Sequence, residues 1–309
     1  MDQLAQKSNF VNVNGIRLHY LDWGGSGPAL LFLAGIGCNA YIFEHLAPRF
    51  TDEFHVLALT RRGHGDSDHP ETGYDIDTLT EDILKFMEAL GIGQAILVGH
   101  SMAGAELSHL AALYPERVLK LVYLDAAYDR SSTGHKALQE KSPWNHIQAP
   151  GMDVDHYSEQ DYFAAMKRAF SSFNFIWTDW MEEQWQHEIE KTPEGKIVDR
   201  TSPAINAAIN HTLSTYVPED SKILAPILSF YAIDNENFFL DYDWMTETER
   251  SEIITYFKDV SNPWVRQTME QFRRAVPHAR IVEIPQGHHY CFIYKEELVY
   301  TEMRKFLLE

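Results

Sequence analysis

Hydrophobic and polar positions alternate near the beginning of the chain. The alternation runs through Phe10–Asn14 and again through Ile16–Trp23, with Asn14-Gly15 at the junction. Asn-Gly between two alternating segments is a strong hairpin signal, because both residues tolerate positive φ angles. The pattern therefore predicts two antiparallel strands at the start of the fold.

Further along, the alternation gives way to short runs in which nearly every position is apolar. Such runs are typical of parallel strands that are covered by helices on both faces of a sheet. They lie at Ala29–Ala34, His55–Leu59, Ala95–Val98 and Leu119–Leu124.

Helical patterns separate these runs. Thr78-Leu-Thr-Glu81 has the form of a capping box and predicts a helix that begins there, with Gly91 at its end. Small and apolar residues through Ala103–Tyr114 favour a second helix packed tightly on the sheet. The alternation of strands and helices predicts an α/β fold with helices on both faces of a mostly parallel sheet.

The alternation of predicted strands and helices stops after Tyr128. Residues 129–222 show no parallel-strand pattern, and a helical stretch covers Ser158–Phe170. The segment is rich in aromatic residues: Trp144, Phe163, Phe170, Phe173, Phe175, Trp177, Trp180 and Trp185. We interpret residues 129–222 as an inserted helical cap, and residues 1–128 and 223–309 as the core domain.

The sheet pattern returns after this segment. Apolar runs at Pro226–Tyr231 and Ala279–Ile284 predict two more strands, and an amphipathic stretch at Glu296–Leu308 predicts a final helix. The core domain is therefore expected to be completed by the C-terminal part of the chain.

Composition narrows the classes of function. The 309 residues carry a net charge of −19, which disfavours binding to nucleic acid or anionic membranes. The two cysteines, Cys38 and Cys291, do not form a disulfide framework, and no apolar run approaches the ~18 residues of a membrane span. We expect a cytoplasmic protein that acts on a small molecule, while the oligomeric state stays open.

One apolar run ends in an unusual turn. Ala95–Val98 is followed by Gly99-His-Ser-Met-Ala103, which matches the pattern of a nucleophile elbow with alanine at its last position. In such an elbow a sharp turn from strand to helix exposes a serine, and the residues two positions away must be small. The pattern predicts Ser101 as a nucleophile at the carboxyl edge of the sheet.

A serine nucleophile needs a base and a carboxylate that orients the base. The loop after the last predicted strand contains His288 and His289, and we favour His289. Asp125 ends one predicted strand and Asp234 follows another, with Glu236 just beyond. Either strand end can bring a carboxylate behind the histidine, so the acid stays open.

Acyl transfer also needs donors for the developing oxyanion. The backbone N–H of Met102 follows the nucleophile, and that of Ile36 lies in a glycine-rich turn after a predicted strand. We predict these two groups as the oxyanion hole. A metal site built from His64, His100, His288 and His289 is disfavoured because the spacing of a metal-binding helix is missing.

Together, these motifs resemble the α/β-hydrolase superfamily over essentially the whole chain. Arg62-Gly-His-Gly-Asp-Ser67 is similar to a turn that the family has after its fourth strand. The resemblance implies Ser101 as nucleophile, His289 as base, and Ile36 and Met102 as oxyanion donors.

The chain departs from the family pattern at three places, one of which is Thr60-Arg61, where an aspartate commonly precedes the Arg62–Ser67 turn. Ala34-Gly35 stands where the family usually has His-Gly, and the glycine that often precedes the acid after the seventh strand is missing near Asp234. Because of the departure near Asp234, Asp125 remains a candidate for the acid.

These features predict a serine hydrolase that cleaves a carboxylic ester through an acyl-enzyme, with no cofactor and no metal. Haloalkane dehalogenases and epoxide hydrolases of this fold use an aspartate at the elbow, so Ser101 favours acyl chemistry. Amidases, lactonases, thioesterases, C–C bond hydrolases and perhydrolases share the same residues and stay open as alternatives. So does a non-catalytic ligand-binding protein on the same scaffold.

Overall fold

A twisted eight-stranded sheet forms the centre of the protein. The computed structural model describes residues 7–148, 151, 154–171, 179–234 and 244–309. The sheet strands are β1 (Lys7–Val13), β2 (Ile16–Gly24), β3 (Ala29–Leu33), β4 (His55–Leu59), β5 (Ala95–His100), β6 (Val118–Leu124), β9 (Ile227–Ile233) and β10 (Arg280–Pro285). A separate antiparallel pair consists of β7 (Ile189–Lys191) and β8 (Ile197–Asp199).

The strand order across the sheet is β1-β2-β4-β3-β5-β6-β9-β10. β1 pairs with β2 and β2 with β4 in antiparallel fashion, and all remaining pairs are parallel. Asn14 and Gly15 both have positive φ angles in the two-residue turn that joins β1 to β2. These observations confirm the predicted hairpin and the mostly parallel α/β sheet.

The helices lie in the connections between the strands. They are α1 (Ile76–Ala89), α2 (Ala103–Leu113), α3 (Thr133–Glu140), α4 (Glu159–Ser171), α5 (Asp179–Gln186), α6 (Pro203–Thr215), α7 (Glu247–Tyr256), α8 (Asn262–Ala275), α9 (Cys291–Tyr294) and α10 (Glu296–Leu308). The predicted final helix has the bounds of α10. The pattern that predicted a helix over Ser158–Phe170 corresponds to α4.

The predicted start of α1 was wrong. The helix begins at Ile76, because Asp75 caps it by accepting a hydrogen bond from the Thr78 N–H at 2.9 Å. Asp75 also accepts one from the Thr78 hydroxyl at 2.7 Å, which uses the side chain that the capping box would need. The aspartate three residues upstream therefore determines the start of the helix.

Apolar side chains fill both faces of the sheet. On one face, α1, α2 and α8 cover residues such as Leu31, Leu97 and Tyr123. On the other face, α10 and the segment 38–54 cover residues such as Phe32 and Phe230. Burial on both sides explains why the inner strands are apolar at nearly every position.

Residues 129–222 are inserted between β6 and β9, which are neighbours in the sheet. Buried hydrogen bonds join the insertion to the core: the Asn39 amide donates to the Gln184 carbonyl and to the Glu188 carboxylate, both at 2.9 Å. The division into a core domain and a cap domain stays a prediction. Phe173, Phe175 and Trp177 lie outside the described residues, and the side chains of Phe170 and Trp180 are not described.

Candidate active site

Ser101 lies at the sharp turn between β5 and α2. Its φ angle is +57°, a left-handed conformation that is rare for residues other than glycine. A Cβ atom at Gly99 would lie 2.9 Å from Leu107 Cδ2 and 3.2 Å from Ala103 Cβ, so the turn requires glycine there. Such strain in an over-determined turn is typical of nucleophile elbows.

His289 lies in the loop between β10 and α9, and its imidazole contacts Asp125. Nδ1 of His289 is 2.7 Å from Oδ2 of Asp125. Because an ionised carboxylate only accepts hydrogen bonds, Nδ1 must donate. Nε2 of the neutral ring therefore carries the lone pair that a general base needs.

Asp125 is held in place by further contacts. It follows β6 directly, with a φ angle of +51°. Its Oδ1 accepts a hydrogen bond from the Ala232 N–H at 2.9 Å and one from the Tyr128 hydroxyl. The side chain is 7% exposed. Donors on both oxygens fix the orientation of the carboxylate.

The second candidate acid has a different partner. Asp234 follows β9 directly, and both of its oxygens accept hydrogen bonds from Arg266 of α8, at 2.8 and 2.7 Å. Its side chain is 41% exposed. β9 extends two residues beyond the predicted strand end at Tyr231, which places Asp234 at the strand terminus. Glu236 lies outside the described residues.

His288 takes a separate role in the loop. Its Nδ1 accepts a hydrogen bond from the Tyr290 N–H at 3.0 Å, and the residue is buried. Burial lowers the pKa of His288 to about 3, and the neighbouring His289 lowers it further. A ring that stays neutral and bonds to its own loop supports the shape of the loop.

His100 ties the elbow strand to the histidine loop. Its Nε2 lies 3.1 Å from the backbone oxygen of His289, and the two rings have centroids 4.6 Å apart. Burial lowers the pKa of His100, so the ring stays neutral and Nε2 donates this hydrogen bond. The contact brings Ser101, the next residue, to the same edge of the sheet as His289.

The Ser101 hydroxyl has an unexpected partner. Arg130 donates to Ser101 Oγ at 3.5 Å and to the Ser101 backbone oxygen at 3.3 Å. Among the described residues, Ser101 Oγ has no hydrogen bond to His289. Catalytic hydrogen bonds are often long in ligand-free enzymes and tighten with substrate. Because Oγ accepts from Arg130, its own proton stays available for a base.

The loop that carries Ile36 lies directly against the elbow. A Cβ atom at Gly35 would lie 2.9 Å from Ser101 Cβ and 3.0 Å from His100 Nδ1. Arg61 fixes this loop by donating to the Ala34 oxygen at 2.9 Å. The predicted oxyanion donor Ile36 is therefore on a segment in close contact with Ser101.

Arg61 is in turn held by Glu106 of α2. Its Nε donates to the Glu106 carboxylate at 2.7 Å, and Nη2 makes a second hydrogen bond to the other oxygen. Both side chains are buried. The sequence contained a usable signal for this pair, since Glu106 is a lone acid in an otherwise small and apolar helix.

Comparisons with known proteins support the fold described above. The chain matches the family described as the alpha/beta hydrolase fold over residues 28–171. It also superposes on the crystal structure of E-2-(acetamidomethylene)succinate hydrolase with a TM-score of 0.76, covering 99% of this chain and 100% of the other at 23% identity. The chain therefore has the α/β-hydrolase fold.

The similarity of the chain to curated relatives covers only parts of the sequence. It is 45% identical over 101 residues to 2-(acetamidomethylene)succinate hydrolase from Mesorhizobium japonicum, covering 33% of this chain and 36% of the relative. It is 32% identical over 167 residues to epoxide hydrolase 4 from Mus musculus, covering 52% of this chain and 46% of the relative. The chain thus matches less than half the length of each.

Part of the inserted segment packs against the predicted oxyanion donors. Helix α6 packs Ile205 and Ile209 against Met102, and Ile36 packs at the edge of the same cluster. A cavity of about 600 Å³ opens beside Gly37, with Tyr162, Met166 and Trp185 of the insertion in its wall. Ser101 is not part of its lining.

Three further observations concern metal binding, the cysteines and membrane spans. In the part of the chain that the structure describes, no three His, Cys, Asp or Glu side chains cluster so that they could hold a metal ion. Cys38 and Cys291 are both free and buried, and burial raises the pKa of Cys38 to about 12. Across the described ranges no helix has the length and apolarity to span a bilayer.

Proposed function

We propose that this chain is a serine hydrolase that cleaves a carboxylic ester through an acyl-enzyme on Ser101. The observation that carries the proposal is the hydrogen bond of 2.7 Å between His289 Nδ1 and Asp125, beside an elbow whose serine has a strained backbone. In this assignment Ser101 is the nucleophile, His289 the base and Asp125 the acid. Asp234 has no part in it.

The reaction follows from these positions. Ser101 Oγ attacks the ester carbonyl carbon while His289 Nε2 takes the hydroxyl proton. The bond to the alcohol oxygen then breaks, and His289 returns the proton to that oxygen, so that the alcohol leaves. A water molecule attacks the acyl-enzyme, again giving a proton to His289. His289 passes this proton to Ser101 Oγ as the carboxylic acid departs.

Two backbone groups stabilise the charge that develops on the carbonyl oxygen. We assign this role to the N–H groups of Ile36 and Met102, because their segments adjoin Ser101 and the contact at Gly35 is too close for any side chain. Arg61 acts as a positioning residue by holding the Ala34 carbonyl. Each oxyanion donor contributes roughly 3 kcal/mol to the transition state in other hydrolases.

The residue type of the nucleophile favours ester cleavage over the opening of an epoxide. Part of the chain is similar to an epoxide hydrolase, but enzymes of that class in this fold use an aspartate at the elbow to form an alkyl ester. Position 101 is a serine, whose hydroxyl forms an acyl ester instead. We further assign residues 129–222 as a cap over the site, since α6 packs against Met102.

Amide cleavage is the second candidate. The relative from Mesorhizobium japonicum, at 45% identity over 101 residues, is named for a substrate with an acetamido group. The same three side chains serve an amide if His289 protonates the leaving nitrogen.

Because the protein has two free, buried thiols, we also propose that it works in the reducing cytoplasm.

The proposal is tested by turnover of p-nitrophenyl esters of graded acyl length and of matched anilides. Ser101→Ala should abolish hydrolysis, whereas Ser214→Ala, which removes an exposed hydroxyl of α6, should leave it unchanged. Faster turnover of anilides than of esters would select the amide alternative. Hydrolysis that persists in Ser101→Ala at the wild-type rate would refute the proposal.

A further inference from the structure

The guanidinium of Arg130 contacts the proposed nucleophile without being part of the catalytic triad. It lies 3.5 Å from Ser101 Oγ and 3.3 Å from the Ser101 backbone oxygen. We propose that Arg130 binds a carboxylate of the substrate, so that the preferred substrates are monoesters or monoamides of short dicarboxylic acids. This inference rests on the proposed function and specifies its substrate class.

The first argument is charge balance. Two other arginines that precede the insertion, Arg61 and Arg62, are buried and each forms a two-pronged ion pair with a carboxylate, of Glu106 and Asp82 respectively. For Arg130, by contrast, no carboxylate among the described residues lies within 4.0 Å. An arginine removed from water without a paired anion is costly, and a bound carboxylate would offset that cost.

The environment of Arg130 strengthens the argument. The side chain is partly shielded from solvent, and this burial lowers its pKa, against the raising effects of Tyr128 and Asp125. Burial lowers the pKa values of the neighbouring His100 and His135, and the charge of Arg130 lowers them further. A cation in such surroundings attracts an anion more strongly than one on an open surface.

The second argument is that Arg130 is held in position before any ligand binds. Its guanidinium carbon lies 5.7 Å from the centre of the Tyr128 ring, and its backbone oxygen is 3.0 Å from His135 Nδ1. Next to it, Asp129 closes a tight turn by accepting from the Ser131 N–H at 2.9 Å. Bonds on both sides fix the segment, so little entropy is lost when an anion binds.

The third argument is reach. A reactive carbonyl carbon lies about 3–3.5 Å from an attacking oxygen. A carboxylate oxygen lies about 2.7–2.9 Å from an arginine nitrogen. With Arg130 at 3.5 Å from Oγ, one small molecule satisfies both distances when its carboxylate is only a few bonds from the scissile carbonyl. Succinyl and glutaryl chains have this spacing.

The test compares two esters that differ in one charge. For p-nitrophenyl hydrogen succinate and its methyl ester, p-nitrophenyl methyl succinate, the ratio of kcat/KM values reports carboxylate recognition. We expect the wild-type ratio to be well above one, and Arg130→Gln to lower it by roughly ten- to a hundredfold, as expected for loss of a charged hydrogen bond. Arg130→Lys should restore part of the ratio.

Lys136→Gln is the matched control. It removes the same charge from the exposed face of α3, six residues from Arg130, and should leave the ratio unchanged. A wild-type ratio near one, or a ratio that is the same in Arg130→Gln, would overturn the inference. Turnover of both esters that depends on Ser101 would then still support the proposed function.

A binding measurement distinguishes failure of the carboxylate inference from failure of the proposed hydrolase function. Monomethyl succinate is titrated calorimetrically into Ser101→Ala and into Ser101→Ala/Arg130→Gln, so that no turnover is needed. Binding to the first protein that weakens at least tenfold in the second supports the inference, even if neither ester is hydrolysed. Equal affinity for both proteins, or no binding to either, contradicts it.

Discussion

Asp125 and His289 are 164 residues apart in the chain, and their side chains meet at 2.7 Å. Asp125 directly follows β6, and His289 follows β10, which is two strands away in the sheet. The intervening strand β9 bridges them, because the Ala232 N–H donates to the same carboxylate. The acid of the proposed triad therefore lies at the end of β6, whereas Asp234 lies at the end of the neighbouring strand β9.

The two aspartates should differ sharply when each is neutralised. Asp125→Asn is expected to lower kcat by about 10⁴-fold, since the amide no longer fixes the His289 tautomer that acts as base. Asp234→Asn removes only an exposed ion pair with Arg266 and should change kcat by less than about threefold. Steady-state kinetics with one p-nitrophenyl ester measure both, and the reverse order would move the acid to Asp234.

Gly99 should tolerate no side chain. In Gly99→Ala the new Cβ would lie 2.9 Å from Leu107 Cδ2 and 3.2 Å from Ala103 Cβ, so the packing of α2 against the elbow must change. We expect a loss of about 1–3 kcal/mol in the free energy of unfolding and a larger loss of activity. Gly93→Ala is the control, because no atom lies within 4 Å of its built Cβ. Urea denaturation and ester kinetics give both quantities, and equal behaviour of the two variants would argue against a tight elbow.

The buried pair of Arg61 and Glu106 should be needed for both stability and rate. Arg61→Met leaves the Glu106 carboxylate buried and unpaired, which is expected to cost about 3–5 kcal/mol of unfolding free energy. It also frees the Ala34 carbonyl, so the loop with Ile36 loses its anchor and kcat should fall.

The control for Arg61 is Arg17→Met. Arg17 is exposed and lies 3.9 Å from Asp68, so its loss should change the free energy of unfolding by under about 1 kcal/mol. Chemical denaturation of both variants, together with kcat, decides the matter. An Arg61→Met protein with wild-type kcat would show that the loop needs no anchor.

Glu188 should make the stability depend on pH. Burial raises the pKa of Glu188 to about 7, although hydrogen bonds from Gly65 and Asn39 oppose the shift. A carboxyl group whose pKa is higher in the folded protein than in the unfolded chain keeps its proton on folding. Its contribution to stability is therefore present at low pH and is lost as the pH rises from about 4.5 towards 7.

Glu188→Gln removes this titration and keeps a hydrogen-bond acceptor. Relative to wild type, its free energy of unfolding should increase by about 2 kcal/mol between pH 5 and pH 8. Glu81→Gln, at an exposed position of α1, should follow the wild-type curve. Urea melts at the two pH values measure the difference, and parallel curves for all three proteins would contradict the assignment.

Local sequence patterns were sufficient for the sheet and for the elbow. The Asn14-Gly15 turn, the inner strands and α10 follow from periodicity and turn chemistry, because each depends on neighbouring residues. α7 was missed although Thr246 and Glu249 form a capping box, since only Ile253 of that helix is buried and its apolar stripe is weak.

Other features required the tertiary structure. Only the folded protein shows which aspartate meets His289: Asp125 contacts it, while Arg266 on a separate helix binds the Asp234 carboxylate. The contact between Arg130 and Ser101 joins residues whose spacing matches no motif. Likewise, the start of α1 depends on Asp75, which accepts hydrogen bonds from both the N–H and the hydroxyl of Thr78.

The account depends most on Ser101 forming a covalent bond to the acyl group. The most direct measurement is peptide mass spectrometry after the protein reacts with a fluorophosphonate, which phosphonylates activated serine hydroxyls. We predict one adduct per chain, on the peptide that contains Ser101, and none in Ser101→Ala. An unmodified Ser101 in protein that still hydrolyses esters, or an adduct on another residue, would contradict the account.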